Sequence, residues 1–409
     1  MSAMDRLANT VRPYAWGSTT ALPELLGTAP TGAPQAELWM GAHPGAPSRV
    51  DRGAGPIGLN EVIAADPDTE LGPEAVRRFG ERLPFLFKVL AADTALSLQV
   101  HPNLDQARAG FADEEERGVP IDAPHRNYKD ANHKPELICA LTPFDGLCGF
   151  RAPAEAADLL AGLEVDSLKP YVDILRAMPD TDALREVLTA VLSAEHEAMA
   201  KTVAEATAAA ERLAAADGPH SAAYAAYVTV AHSFPGDPGV IAGMLLNYVQ
   251  LQPGEALYLG AGIPHAYING LGVEIMANSD NVLRCGLTPK HVDVPELLRV
   301  VKFESTPPGV LRPEADADGE ELYVAPIDEF RLSRYVLATG ATPRLLTAGA
   351  PQILLCTAGS VSLRIPQAAK ATATASELHL AAGESAYVPA SETVELAGEG
   401  TIFRATLAI

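Results

Sequence analysis

The chain has 409 residues, 48% of them hydrophobic, and a formal net charge of -22 with a pI near 4.8. That length accommodates about two or three ordinary domains with a sizeable core. The acidity argues against nucleic acid or an anionic membrane as a partner, and any anionic substrate must be met by a local basic cluster.

The opening stretch MSAMDRLANTVRPYAWGS has no apolar run of the signal-peptide kind. No uncharged run further along is long enough to span a bilayer. Both observations predict a soluble, cytoplasmic protein. Residues 1–60 alternate short apolar pieces with Gly and Pro, which reads as strands and turns. LPFLFKVLAADTALSLQVH at 83–101 contains two strand-like runs. Residues 103–133 are polar and read as a loop with one helical turn at most, and 134–150 return to strand character. From Ala152 to Ala216 the composition shifts to Ala, Leu and Glu, and Leu184, Val187, Leu188, Val191 and Leu192 recur at helical spacing. A further helical pair is expected over 219–232 and 238–247. The charges of this insertion read as a solvated helix face, and nothing in it asks for a catalytic role.

β character resumes after Gln250. PGEALYLGAGIPHAYING is echoed near the C-terminus by AAGESAYVPASETVELAG, with Gly254-Glu255 matching Gly383-Glu384 and Tyr258-Leu259 matching Tyr387-Val388. A Gly-acidic turn, a short strand and a small-residue turn form one corner of a jelly roll. Where the first copy has His265 the second has Val394, so only the first keeps a metal-ligand type. The four cysteines, Cys139, Cys148, Cys285 and Cys356, form no CxxC pair and read as reduced, buried thiols.

Three segments carry the chemistry. On a strand over 96–101, Leu96, Leu98 and Val100 face one side, and Ser97, Gln99 and His101 face the other. An ordinary wet face and the lining of a polar cavity fit that segment alike. Glu136 directly precedes the apolar run LICAL and needs a partner if buried. Lys134, on the same face, is one such partner, and a metal is the other. His265 follows the rigid Gly262-Ile263-Pro264 turn. Alone it reads as a hydrogen-bonded core histidine, but with His101 and Glu136 it completes a two-His, one-carboxylate set, to which Gln99 adds a neutral oxygen. Such a set leaves a position open for water or substrate.

These residues sit in segments that resemble the type I mannose-6-phosphate isomerases, zinc enzymes of the cupin superfamily. The segments are YAWGS (14–18), ELWMGAHPGAPS (37–48), LPFLFKVL (83–90), SLQVHPN (97–103), YKDANHKPEL (128–137), GIPHAY (262–267) and GVEIMANSDNVLRCGLTPKHVD (272–293). The resemblance covers most of residues 1–310 and is thin over the helical insertion and the C-terminal part. It implies Gln99, His101, Glu136 and His265 as ligands of one zinc per chain. Val100 and Cys285 stand where the family more often shows Ala, and no ligand position departs from the pattern. The implied fold is mainly β: two cupin-type jelly-roll barrels plus an α-helical insertion. Residues 1–151 and 248–310 would form the catalytic barrel, 152–247 the insertion, and 311–409 a degenerate second barrel.

The implied reaction interconverts mannose 6-phosphate and fructose 6-phosphate by proton transfer between C1 and C2 through an enediol, in a protein expected to be a monomer. It needs a base, an electrophile and cations for the phosphate. Arg284 is the first choice for oxyanion binding and electrophile, supported by the resemblance. Ser97, Lys290, Lys134 and, less directly, Lys88 are candidates for the phosphate, and Tyr267 for a further substrate contact. Glu274, Asp280, His133 and Lys134 are all chemically able to act as the base. A buried ion pair between Glu274 and Arg284 is the structural alternative. Trp16 and Trp39 are either pocket wall or core. Two other functions fit a cupin of this kind: an Fe(II) oxygenase, which also uses two His and a carboxylate, and a non-catalytic sugar-phosphate sensor.

Overall fold

The computed structural model describes residues 4–178, 180–347, 349–366 and 377–409. The molecule is mainly β, as expected, with two large sheets of eleven and eight strands and a two-stranded ribbon. All the strands pair antiparallel, and no pairing among the described residues closes either large sheet into a barrel.

The eleven-stranded sheet is organised around the thirteen-residue strand His265–Ala277. Its first half pairs with Leu98–Val100 and Phe144–Phe150, and its second half with Phe85–Ala92 and Glu136–Ala140. The ladder shifts register between Tyr267 and Asn269. Gly270 follows with φ +129, where an added Cβ would stand 2.7 Å from the Phe144 ring. Glycine is required there by both φ and space, and the strand turns from one set of partners to the other at this point.

Strand alternation then sorts the side chains. Along Phe85–Ala92, Phe85, Phe87, Val89 and Ala91 are buried in a core that also holds Leu332, Ile353, Leu355 and Phe403 of the eight-stranded sheet. Leu86, Lys88 and Leu90 face the other way, into a cleft. Each large apolar side chain fully removed from water contributes about 1.5–3 kcal/mol. A core drawn from both sheets therefore joins them firmly. The N-terminal strand Asp5–Arg6 strengthens the join, because it pairs with Ser385–Val388 of the second sheet. Arg52 clasps the same junction by bonding Asp5 at 2.7 Å and Glu70 at 2.6 Å.

Residues 153–244 hold six α-helices among those described, from Pro153–Gly162 to Gly239–Met244. Leu184, Val187, Leu188 and Val191 are buried as their spacing predicts, while Leu192 is half-buried. Their core runs on into Ala266, Ile268 and Leu283 of the large sheet, so the insertion is seated on the sheet. The last expected helix, over 238–247, is shorter than its apolar run: it stops at Met244, and Leu246–Leu251 is already a strand paired with Phe144–Phe150.

Two segments hold helices that were not expected. The loop expected over 103–133 contains the thirteen-residue helix Leu104–Glu116. It opens with a reciprocal capping box between Asn103 and Gln106, a local signal that offsets its weak apolar face. Buried Glu114 then accepts from the Asn127 and Tyr128 backbone N–H groups and ties the rest of the segment down. Residues 1–60 likewise include the helices Ala21–Leu25 and, beginning at its end, Leu59–Ala65.

The sequence echo corresponds to matched elements. Ala256–Leu259 and the thirteen-residue His265–Ala277 are repeated as Ser385–Val388 and the thirteen-residue Val394–Thr406. Gly254 and Gly383 have φ +90 and +85. His265 and Val394 each open the long strand of their copy.

All four cysteines are free and buried. Burial pushes the thiols of Cys139 and Cys356 up to about 11 and those of Cys148 and Cys285 up to about 12. The folded chain therefore keeps protons that the unfolded chain loses once pH passes about 8.5, so stability falls as pH rises above that value. Titration of the native protein with a thiol reagent at pH 8 should find almost no reactive thiol, and the denatured protein should show all four.

Candidate metal centre and cleft

Three strands deliver the candidate metal-binding residues. In Leu98–Val100, Leu98 and Val100 are buried in the apolar core and Gln99 points the opposite way. Gln99 lies directly across from His265 on one side and from Arg284 on the other. Residues opposite one another in an antiparallel ladder share a face, so Arg284, Gln99 and His265 form one row across three strands. His101 follows the end of the central strand. The Gly262 N–H donates to the His101 carbonyl at 2.9 Å, tying the turn before His265 to the residue after Gln99. Glu136 opens its strand opposite Met276, which brings its carboxylate to the same point from a fourth direction.

His101, Glu136 and His265 offer ligand atoms that all lie within 4.8 Å of one another, the only such cluster among the described residues. Both imidazoles point Nε2 inward, 3.4 Å from Glu136 Oε2. The Nδ1–H of His101 donates to the Asn281 carbonyl at 2.8 Å, and that of His265 donates to the Ile263 carbonyl at 2.9 Å. Those bonds leave each Nε2 with a bare lone pair aimed at the centre, the tautomer a metal requires. Burial pushes His101 down to about 4, which favours the neutral ring. Burial also opposes the charge on Glu136, but Lys134 and then His101 outweigh it and hold the carboxyl well below its ordinary range.

Glu136 engages lysine with one oxygen and keeps the other for the space between the imidazoles. Oε1 accepts from Lys134 Nζ at 3.0 Å, while Oε2 and His101 Nε2 are buried without any hydrogen-bond partner. A carboxylate oxygen facing two imidazole lone pairs is repulsive unless a cation stands between them. The donor set of two nitrogens and a carboxylate oxygen fits a divalent ion such as zinc. Gln99 is a fourth donor within reach: its Nε2 is 3.5 Å from His265 Nε2, and a half-turn of the amide presents the oxygen instead.

Glu136 of this cluster opens onto a cleft of about 650 Å³. Ser97, Gln99, Lys134, Glu136, Tyr267, Glu274, Asp280, Arg284 and Lys290 all line it, and Trp16 and Trp39 form wall. The cleft and its surroundings also bring together residues that sequence reasoning did not single out. Glu37 accepts from Lys88 at 3.2 Å and from the Trp39 indole N–H at 2.7 Å. His43, in edge contact with Trp39, stands 3.5 Å from Asp280 and holds that carboxyl below its usual range. Glu37 and Trp39 alternate on the strand Glu37–Met40, so the strand rule offered a signal for Glu37. None existed for its pairing with Lys88.

The expected roles divide on this geometry. Glu274 is paired with Lys88 at 2.5 Å, not with Arg284, and accepts from the Tyr267 hydroxyl at 2.7 Å. Burial raises Glu274 despite Lys88. Lys88 is buried between Glu274 and Glu37, so it is a wall residue held by two acids. His133 is turned onto Glu329, a residue of the C-terminal part, at 2.5 Å. Arg284 and Lys290 behave differently. Burial lowers Arg284 with no acid opposing it, and Lys290 is lowered first by Arg284, then by burial and Lys129. Two cations that disfavour one another at one end of a cleft call for an anion between them. In a chain of net charge -22 this is the local basic cluster that an anionic substrate requires.

Comparison with known proteins agrees with this geometry. Residues 4–153 match the family model "Phosphomannose isomerase type I, catalytic domain". The chain is 42% identical to the mannose-6-phosphate isomerase of Escherichia coli (strain K12), covering 98% of this chain and 99% of that one. It is 34% identical to the enzyme of that name from Mus musculus, covering 95% and 94%. A crystal structure of zinc-bound mannose 6-phosphate isomerase superimposes with a TM-score of 0.89 at 38% identity, covering 100% of both chains.

Replacing one imidazole removes a ligand and leaves Glu136 facing its partner alone. His265→Ala protein, purified and reloaded with zinc, should hold well under half the wild-type metal on elemental analysis. A full complement in that variant would exclude His265 as a ligand.

Proposed function

The chain belongs to the type I phosphomannose isomerase family, and from that premise we propose which of its residues carry each part of the reaction. The protein is a zinc-dependent mannose-6-phosphate isomerase, interconverting mannose 6-phosphate and fructose 6-phosphate by moving a proton between C1 and C2 through an enediol. The observation that carries the assignment of roles is the His101–Glu136–His265 cluster with its unsatisfied buried atoms, beside a cleft lined by Arg284 and Lys290, which have no acidic partner among the described residues.

In this reading Gln99, His101, Glu136 and His265 hold one zinc per chain. When bound, zinc supplies Lewis-acid polarisation of the sugar oxygens. Lys290 meets the phosphate with help from Ser97. Arg284, in the same row as Gln99 and His265, stabilises negative charge on the sugar oxygen as it develops. Lys134 neutralises Glu136 from above and borders the cleft. Glu274 has both carboxylate oxygens engaged, one by Lys88 and one by the Tyr267 hydroxyl. Its role is therefore to orient those two groups. That leaves Asp280 and Lys134, which both line the cleft, to carry protons during ring opening and transfer. His133 contributes through its contact with Glu329.

The wider organisation follows the same reading. Residues 1–151 and 248–310 form a catalytic cupin-type jelly roll interrupted by the 152–247 insertion. Residues 311–409 form a second cupin-type unit in which Val394 replaces the ligand histidine. The four unpaired cysteines suit a reducing cytoplasm, and we propose that the enzyme works there as a monomer.

The direct test couples fructose 6-phosphate formation to a detector after mannose 6-phosphate is added to zinc-replete protein. Turnover without oxygen consumption is expected, whereas iron with oxygen uptake would point to an oxygenase. Arg284→Ala should lower kcat by about a hundredfold or more, as expected for a lost oxyanion contact, while zinc content stays near one per chain. Parallel loss of zinc and turnover would assign Arg284 a structural role instead.

A further inference from the structure

The helical insertion holds a turn of the cleft through the carboxylate of Asp237. Asp237 lies in the Phe234–Pro238 connection between the helices Ser221–Ser233 and Gly239–Met244. Its Oδ1 accepts from the Gly239 N–H at 2.7 Å, a local turn, but also from the Leu287 N–H at 2.9 Å. Its Oδ2 accepts from the Thr288 N–H at 3.1 Å. Both oxygens therefore hold the backbone just past the strand that bears Arg284, about fifty residues away in sequence.

The backbone so held is unusual. Leu287 has φ +56, one of two non-glycine residues with positive φ among those described. A branched side chain in that conformation persists only where its surroundings over-determine it. The approach of the insertion is equally specific. Gly286 has φ +126, and a Cβ there would stand 2.5 Å from Gly239 Cα. The two glycines let the backbones touch and bring Asp237 within reach of the turn. From Leu287 the chain runs through Thr288 and Pro289 to Lys290, whose N–H donates to Thr288 Oγ1 at 3.1 Å. Those four residues line the cleft, and so does Phe234 of the insertion.

We propose that Asp237 is a positioning residue for the phosphate end of the substrate. Through it the insertion holds the Leu287–Lys290 turn so that the Lys290 ammonium and Arg284 address one anion. This rests on the reading of Lys290 as a phosphate contact given above. Without the carboxylate, the Leu287 and Thr288 N–H groups lose their acceptor, and the turn can relax from its left-handed residue. Lys290 then samples positions away from the phosphate, while zinc and Arg284, which are held by the sheet, stay in place.

The test is steady-state kinetics on zinc-loaded Asp237→Ala, Lys290→Ala and the double variant. Asp237→Ala should raise KM for mannose 6-phosphate about tenfold and leave kcat within about threefold, the split expected for lost uniform binding. Zinc content should stay at the wild-type level. Because Asp237 acts through Lys290, the double variant should be little worse than Lys290→Ala alone. An unchanged KM in Asp237→Ala beside a raised one in Lys290→Ala would overturn the inference, as would multiplicative effects in the double variant. Loss of zinc together with kcat would also overturn it, by showing a general structural role. An unchanged KM in Lys290→Ala would overturn the phosphate reading and the inference with it. Should Asp237→Ala not fold, Asp237→Asn carries the same comparison, since it keeps the acceptor for Gly239 and Leu287 and loses only the Thr288 bond.

Discussion

One buried oxygen governs the centre of this molecule. Glu136 Oε2 sits 3.4 Å from two imidazole nitrogens that carry lone pairs, inside a region closed to water. Without a cation this is a repulsive arrangement, and the fold supports it from several directions. Asn281 and Ile263 carbonyls fix the tautomers, Lys134 takes the second carboxylate oxygen, and the Gly262–His101 hydrogen bond ties two ligand segments together. The arrangement makes sense when divalent metal supplies the missing charge, and the free energy of metal binding is then shared with folding.

The rest of the cleft follows from period-two alternation in strands that are wet on one side. Lys88, Glu274 and Trp39 stand in register across three strands, with Phe87, Val89 and Ile275 on the opposite face in the shared core. Buried charge in that layer is tolerated because it is paired. Lys88 lies between Glu37 and Glu274, and Tyr267 gives Glu274 a further hydrogen bond. Such a network fixes a wall more than it stabilises a fold, since the desolvation of three charges consumes most of what their attraction returns. Arg284 and Lys290 are the exception, and on the proposed reading they mark the substrate end. They face the same cleft with no acid to quiet them.

The insertion looks like an appendage in the sequence, a run of Ala, Leu and Glu with a solvated charge pattern, and most of it is that. Its contact with the active site comes from a short Pro-Gly-Asp-Pro turn at 235–238 between two helices, a feature that local reading assigns only to chain reversal. The carboxylate there meets Leu287 and Thr288 because two glycines at 239 and 286 permit backbone contact. No periodicity or composition reports such a meeting.

Much was legible from the chain alone. Alternation around Gln99, the apolar run after Glu136, the rigid turn before His265 and the family segments together pointed to residues that the fold brings into one candidate metal centre. The echo near Gly383 correctly paired two strands of thirteen residues. These readings worked because strand alternation, helix periodicity and turn chemistry are local, and each is written within a few neighbouring residues. The helix Leu104–Glu116 was missed although its capping box was present, since its apolar face is weak and the polar composition dominated the reading. What tertiary structure alone decided is which charges meet: Glu274 with Lys88 and not Arg284, His133 with Glu329, Asp237 with the turn before Lys290. Ion pairs and backbone contacts between distant segments depend on register and on close approach across the fold, and no single stretch of sequence carries either.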